Sequence, residues 1–230
     1  MKPDNSPAKK YVVVPLFPLP NTVFYPHTSL PLHIFEPRYL SMVADALEGG
    51  GEIGMVLLKP GWEKDYYGTP EIMSTGCVGK IQRHSQLPEG KYNILLSGLY
   101  RFRIHQEIEG KLYRQAQVEL LEEINDQNLT DESLSIKKRV IKNMKQYLKS
   151  ISDGEKVEQM LDMGNCATLA QFVDRIAYHF DQPVSKMQEF LEEQDVQKRA
   201  RTLSALIELK VQLINISKEF KEGGIDFSMN

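Results

Sequence analysis

Eleven of the 12 prolines lie at or before Pro88, and eleven of the 15 glycines at or before Gly110. Proline withholds a backbone donor and glycine loosens the chain, so both interrupt long regular elements. The first part of the 230-residue chain is thereby committed to short, turn-bounded pieces, while the second can run long helices. Residues 11–17 form a β-branched run (Val12, Val13, Val14) that ends among Pro15, Pro18 and Pro20. Prolines there place the run at a sheet edge or a strand end, since they give nothing to a ladder. Residues 30–35 read as a second short strand. Pro37 fits the first position of a helix, with Tyr39, Leu40, Val43 and Leu47 at helical spacing and Gly49, Gly50 and Gly51 as its stop. Residues 53–58 read as a buried strand, and a loop covers 59–70. Residues 72–84 and 92–106 read as long strands joined at Leu87-Pro88-Glu89-Gly90. Residues 112–121 close the series; in them Ala116, Val118 and Leu120 alternate with Gln115, Gln117 and Glu119, giving a strand with one dry and one wet face. About six such strands curl into a small barrel, which removes exposed edges.

The break falls at residues 122–130, which are acidic and polar. Thr130 can cap the next helix, with Asp131 and Glu132 in its first turn. Leu134, Ile141, Met144, Leu148 and Ile151 follow one helical face, and a short helix is expected near 157–163. Residues 167–180 form another helix, burying Leu169, Phe172, Val173 and Ile176. Val184, Met187, Phe190 and Leu191 make the next stripe. Asp195 can cap a last helix of about 25 residues, or ~38 Å, carrying Leu203, Leu206, Ile207, Leu213 and Ile214. The expected division is a disordered tail at 1–10, a β-rich domain at 11–122, a helical bundle at 123–222 and a flexible tail at 223–230.

Lys+Arg of 28 against Asp+Glu of 31 gives a net charge of −3, and residues 1–120 hold 13 basic against 12 acidic side chains. No basic field is available for nucleic acid or anionic lipid. Two distant cysteines, Cys77 and Cys166, make neither a disulfide framework nor a zinc cluster and read as reduced thiols. No apolar run approaches the ~20 residues that span a bilayer, and the polar start has no signal segment. A cytoplasmic protein is expected.

Several stretches resemble the N-terminal domain of Lon proteases. They are Val14-Pro15-Leu16-Phe17-Pro18-Leu19-Pro20-Asn21, Leu30-Pro31-Leu32-His33-Ile34-Phe35-Glu36-Pro37-Arg38-Tyr39 and Gly76-Cys77-Val78-Gly79-Lys80-Ile81. Leu95-Leu96-Ser97-Gly98-Leu99-Tyr100-Arg101-Phe102-Arg103-Ile104 is similar to that family's strand in which a basic residue follows a glycine. Val118-Glu119-Leu120-Leu121 fits its close, and Gln171-Phe172-Val173-Asp174-Arg175-Ile176-Ala177 and Phe190-Leu191-Glu192 resemble its helical half. The likeness spans residues 12–216. Glu36, Pro37, Arg38, Tyr39 and Gly98 carry its structural motif, and the run Phe35-Glu36-Pro37-Arg38-Tyr39 resembles stand-alone versions more than the full protease. The resemblance implies an α+β fold, with an N-terminal PUA-like β-barrel or pseudo-barrel followed by a C-terminal helical bundle. It also implies a non-catalytic module that binds unfolded or tagged polypeptides, as a substrate-recognition or adaptor protein in protein quality control. Such a module acts alone or beside a separate protease or chaperone. In the full protease a nucleotide-binding loop and a Ser-Lys dyad follow this region; here the sequence stops at Asn230.

No chemistry is expected from the residues themselves. Gly76-Cys77-Val78-Gly79-Lys80 has the wrong spacing for a phosphate loop and lies within a strand. His27 and His33 flank a turn, while His84, His105 and His179 are isolated, so neither a metal nor a cofactor is anticipated. No G-x-S-x-G elbow is present. Two aromatic groups can serve binding: Trp62, Tyr66 and Tyr67 on a polar loop, and Phe24 and Tyr25 after the first strand. Each has a second reading, as cover for a barrel end or as packing beneath it. Glu36 and Arg38 read as a local ion pair and cap. The last helix can also meet a partner helix, in self-association or in docking to another protein. RNA binding is the alternative function, since PUA-like folds bind RNA elsewhere, but the near-neutral β half argues against it.

Overall fold

The computed structural model describes residues 10–65, 68–126, 130–150 and 166–222. The tail before residue 10, the tail at 223–230, the helix expected near 157–163, Ile151, Tyr66 and Tyr67 lie outside these residues. The fold class is α+β as expected. In chain order the elements are β1 (Tyr11–Leu19), β2 (Ser29–Ile34), α1 (Pro37–Glu48), β3 (Glu52–Leu58), β4 (Ile72–Gln86), β5 (Tyr92–Ile108) and β6 (Gln115–Leu120). Then follow α2 (Asp131–Ser150), α3 (Leu169–His179), α4 (Val184–Glu192) and α5 (Val196–Glu222). Contacts divide the chain into a β unit, Met1–Glu122 with Phe180–Gln194, and a helical unit, Glu123–His179 with Asp195–Asn230.

In the β unit five strands close into a ring: β1 pairs with β3 and β6, β6 with β5, β5 with β4, and β4 with β3. β2 lies outside the ring, antiparallel to the first part of β5. β5 serves both because it changes neighbours along its length: residues 92–97 pair with β2 and residues 102–108 with β6. Gly98 sits at the changeover. A Cβ there would lie 2.0 Å from the carbonyl oxygen of Tyr25, so only glycine lets the turn before β2 lie against the strand. Gly98 N–H donates to Thr28 O at 2.9 Å, and Gly98 O accepts from His27 N–H at 3.0 Å. Val14, Leu16, Val56, Val78, Phe102, Ala116 and Val118 fill the barrel. The alternation read in β6 supplies two of them.

The prolines of β1 do not mark a sheet edge. The strand lies inside the ring, antiparallel to β6 over residues 11–15 and parallel to β3 over residues 16–19. Leu16 N–H donates to Arg114 O, on the β6 side. By strand alternation, the nitrogen of Pro15 faces β3 before that pairing starts, and that of Pro18 faces the β6 side after that pairing has ended. Both missing donors therefore fall where nothing would accept them.

The stripe at 184–191, expected in the bundle, belongs to the β unit. Three long-range polar contacts hold α4 there. Tyr25 Oη donates to Met187 O at 2.7 Å, Gln188 Nε2 to Thr75 O at 3.1 Å, and Arg101 Nε to Leu191 O at 3.0 Å. The last of these places a buried cation at the carbonyl end of the helix, where the backbone dipole favours it. Phe190 adds an edge-on ring contact to Tyr25, with centroids 5.9 Å apart.

In the helical unit, Thr130 Oγ1 accepts from Ser133 N–H, and Asp195 Oδ1 from Lys198 N–H, so both expected caps are made. The buried face of α2 is Ser133, Ile136, Val140, Asn143, Met144, Tyr147 and Leu148. This differs from the expected stripe, in which Leu134 is exposed, because polar Ser133 and Asn143 sit on the true inner face and hide its 3-4 rhythm. α5 buries Val196, Ala200, Leu203, Ile207 and Val211, whereas Leu213 is exposed. Arg199 is buried between carboxylates: an Nη donates to Glu123 at 2.7 Å, and Nε stands 3.5 Å from Asp174.

Candidate functional site

The β unit carries a groove of about 730 Å³. Its floor and walls come from the end of β1 (Phe17, Pro18, Leu19) with Pro20, the end of β2 with Phe35, the first turn of α1, residues 68–70, and the β5–β6 connection. The groove opens where β6 stops covering β1, just beyond Pro15. Three large apolar side chains reach solvent along it: Phe35 at 58% exposure, Leu112 at 79% and Ile108 at 38%. Apolar side chains held out of a core at this exposure along one concavity mark a surface built to be covered.

The residues on either side of these side chains are fixed. Leu112 stands between Lys111 and Tyr113, and both reach Asp45 on α1: Nζ to Oδ2 is 2.9 Å and Oη to Oδ2 is 2.7 Å. These two hydrogen bonds, the tyrosine's first, hold the Asp45 carboxyl below its ordinary range. Burial first, and then the bond to Asp45, push the Tyr113 phenol up to about 12. Arg114 grips Glu107 with two nitrogens, at 2.8 and 2.6 Å, and Pro70 O with the third at 2.7 Å, tying the wall at 68–70 to the end of β5. Below Phe35, Arg38 pairs with Glu36 at 3.0 Å and lies 4.6 Å from the centroid of the Tyr39 ring, which in turn packs on Phe17 at 4.2 Å. A groove with walls held this way loses little freedom when it is filled.

The expected site residues are distributed differently. Phe24 and Tyr25 are 2% and 0% exposed, so they are not open to a ligand. Phe24 lies under β4, where a Cβ on Gly79 would come within 2.7 Å of its ring, and Tyr25 seats α4. The second reading of this pair, packing beneath the barrel, is the one that holds. Trp62 is half-buried in a single 3-10 turn, Trp62–Asp65, and residues 68–70 form one groove wall. Glu36, Arg38 and Tyr39 line the groove. The Glu36–Arg38 ion pair is present, but Glu36 makes no side-chain bond to the helix start; Pro37 is at the first helical position as read. Sequence reasoning did not single out Phe35, Ile108 or Leu112 as a site. The available signal was Phe35 directly before the Glu36-Pro37 helix start, and Leu112 two residues beyond Gly110.

Gly76-Cys77-Val78-Gly79-Lys80 lies within β4, paired with β3 and β5. Among the described residues no three His, Cys, Asp or Glu side chains group to hold a metal ion. Among them too, no helix is long and apolar enough to cross a membrane. The thiols of Cys77 and Cys166 are both buried.

A family model described as the ATP-dependent protease La (LON) substrate-binding domain matches residues 13–208. The Lon protease of Dictyoglomus thermophilum is 28% identical over 210 residues, covering 91% of this chain and 26% of that protein. The Lon protease of Escherichia coli is 25% identical over 221 residues, covering 96% of this chain and 27% of its own length. The chain thus spans about a quarter of the length of these curated relatives. A crystal structure of a Lon N-terminal domain protein from Xanthomonas campestris shares the fold at a TM-score of 0.61 and 23% identity, covering 84% of this chain and 98% of that one. The N-terminal domain of a Mycobacterium avium complex Lon protease does so at 0.64 and 17%, covering 85% and 98%.

Proposed function

This chain belongs to the LON substrate-binding-domain family, and from that premise we propose that its β unit holds apolar stretches of unfolded polypeptide in the groove between Phe35 and Leu112. The observation that carries the reading is the pair of solvent-facing side chains on anchored backbone, Phe35 and Leu112, along one groove. Apolar contact on a preorganised surface of this size supports affinity in the micromolar range, about −8 kcal/mol. In this reading the chain does no chemistry of its own. It presents polypeptides, alone or to a separate protease or chaperone, in a reducing cytoplasmic setting that suits its two buried thiols.

The cations at the groove support polypeptide over RNA. Arg38, Lys111 and Arg114 are each engaged by a carboxylate, from Glu36, Asp45 and Glu107 respectively, so phosphate would have to displace an existing partner.

The test is fluorescence anisotropy with a labelled, permanently unfolded polypeptide. Phe35→Ala combined with Leu112→Ala is expected to weaken binding about tenfold or more, with the melting temperature unchanged because both side chains face solvent. Equal affinity for the double variant would remove the groove from the function. A single-stranded RNA of the same label that bound more tightly than the polypeptide, with a steep salt dependence, would replace the reading by the RNA alternative. Casein turnover by the purified chain would overturn the absence of chemistry.

A further inference from the structure

β2 is the one strand of this sheet that, among the described residues, has a neighbour on a single side. The direction of its backbone groups follows from the residue before it. Thr28 turns its carbonyl towards β5, where it accepts from Gly98 N–H at 2.9 Å. In an antiparallel strand, the N–H and C=O of one residue leave on the same side, and successive residues alternate. Leu30, Leu32 and Ile34 therefore address β5, opposite Leu96, Ile94 and Tyr92, while Ser29, Pro31 and His33 address the open side.

An open edge is a template for another strand, and proteins commonly block it with proline. Pro31 fits this: its nitrogen, on the open side, has nothing to donate. The block covers only the middle of the edge. His33, two residues on, keeps both its N–H and its C=O, and it lies where the edge enters the groove. Its imidazole is turned sideways to Asn93, with Nδ1 2.8 Å from Oδ1, and its ring centroid is 5.9 Å from that of exposed Phe35. A chain lying in the groove thus meets a backbone donor and acceptor at strand spacing, beside an apolar ring.

Resting on the groove reading above, we propose that the client is bound by strand addition. An extended segment pairs its backbone with His33 and with the carbonyl of Pro31, and sets every second side chain into the groove against Phe35. The ligand class is accordingly an extended polypeptide with apolar residues at i and i+2. An amphipathic helix, whose backbone groups are already used internally, does not meet this requirement. Affinity comes from the main chain and selectivity from the alternate side chains.

The experiment uses the full chain and a fluorescein-labelled peptide of about ten residues with leucine at every second position, made also as a set of singly N-methylated versions. N-methylation at alternate positions of one parity is expected to weaken binding about tenfold, and at the other parity less than about twofold, since one hydrogen bond and one steric block are at stake. His33→Pro is expected to reproduce the tenfold loss and His33→Ala to leave affinity within about twofold, because alanine retains the N–H. If the unmodified peptide binds and Phe35→Ala weakens it, but every N-methyl version binds equally, strand addition falls and the groove reading stands. Equal losses for His33→Ala and His33→Pro would likewise point to the imidazole and overturn strand addition. If the unmodified peptide does not bind, both readings fall. The N-methyl series needs no protein variant, so it decides the matter even if His33→Pro fails to fold.

Discussion

Among the described residues each unit buries one arginine; one reaches a peptide carbonyl and the other two carboxylates. In the β unit, Arg101 is 2% exposed and gives its Nε–H to Leu191 O, at the end of α4. In the helical unit, Arg199 is 1% exposed and meets the carboxylates of Glu123 and Asp174. One guanidinium holds an element in place through a peptide carbonyl; the other joins the segment before α2, α3 and the start of α5 by charge. Burial alone therefore does not tell what an arginine does: the partner decides which loss is severe. Removing a carboxylate from the second leaves a charge exposed to low dielectric, whereas removing the first frees a helix from its support.

The largest effect is expected from Asp174→Ala. Both side chains of its pair with Arg199 are fully buried, and breaking such a pair from one side costs about 3–5 kcal/mol. Urea unfolding measures this, and a loss under about 1 kcal/mol would mean that Arg199 is balanced without Asp174. Arg101→Met comes next: it keeps the buried stem and removes a charged donor, a change of about 1.5–3 kcal/mol. Amide exchange should quicken first in 184–192. Uniform quickening across the chain would show that Arg101 supports the barrel and not the helix.

The smallest effect sharpens the same contrast in a hydrogen bond nearer solvent, from Tyr113 to the Asp45 carboxylate. The Tyr113 phenol titrates at about 12 when folded, against 10.0 ordinarily, so between these values the unfolded chain holds fewer protons. Its contribution is complete below pH 10 and is lost as pH rises towards 12. Asp45 acts in the opposite direction. Its lowered folded pKa gives stability that is present at neutral pH and is lost as pH falls below 3.8 through the folded value. Tyr113→Phe should remove the alkaline decline in melting temperature and lower stability at neutral pH by about 1 kcal/mol or less. An unchanged alkaline limb would assign it to other groups.

Much of the β unit was legible because its signals are local. The 116–120 alternation, the turn at 87–90 and the Pro37 helix start each depend on neighbours in sequence, as do the caps Thr130 and Asp195. The placement of α4 was not legible, because it depends on Tyr25, Thr75 and Arg101, which lie 90 to 162 residues away. Phe24 and Tyr25 read as equally fit for surface or core; Phe24 packs under β4, and Tyr25 meets a helix whose position no local pattern encodes. Phe35 and Leu112 were hidden for the converse reason. Each falls next to an apolar run and reads as strand, yet β2 stops at Ile34 and β6 starts at Gln115, leaving both on loop backbone facing solvent.

The chain passes between the units at 122, 179 and 194, so the β unit is discontinuous. A ribosome delivers all six strands by residue 120, but the helix that rests on them only after 57 further residues of the other unit, 123–179, have been made. At roughly 5–20 residues per second, the nascent barrel waits on the order of 3–15 s with Tyr25 and Arg101 lacking their helix. Cutting the chain after residue 122 would make that unfinished surface permanent. Recombination could exchange this unit as a module only by crossovers at all three of these boundaries, which ties the inheritance of the barrel to that of the helices.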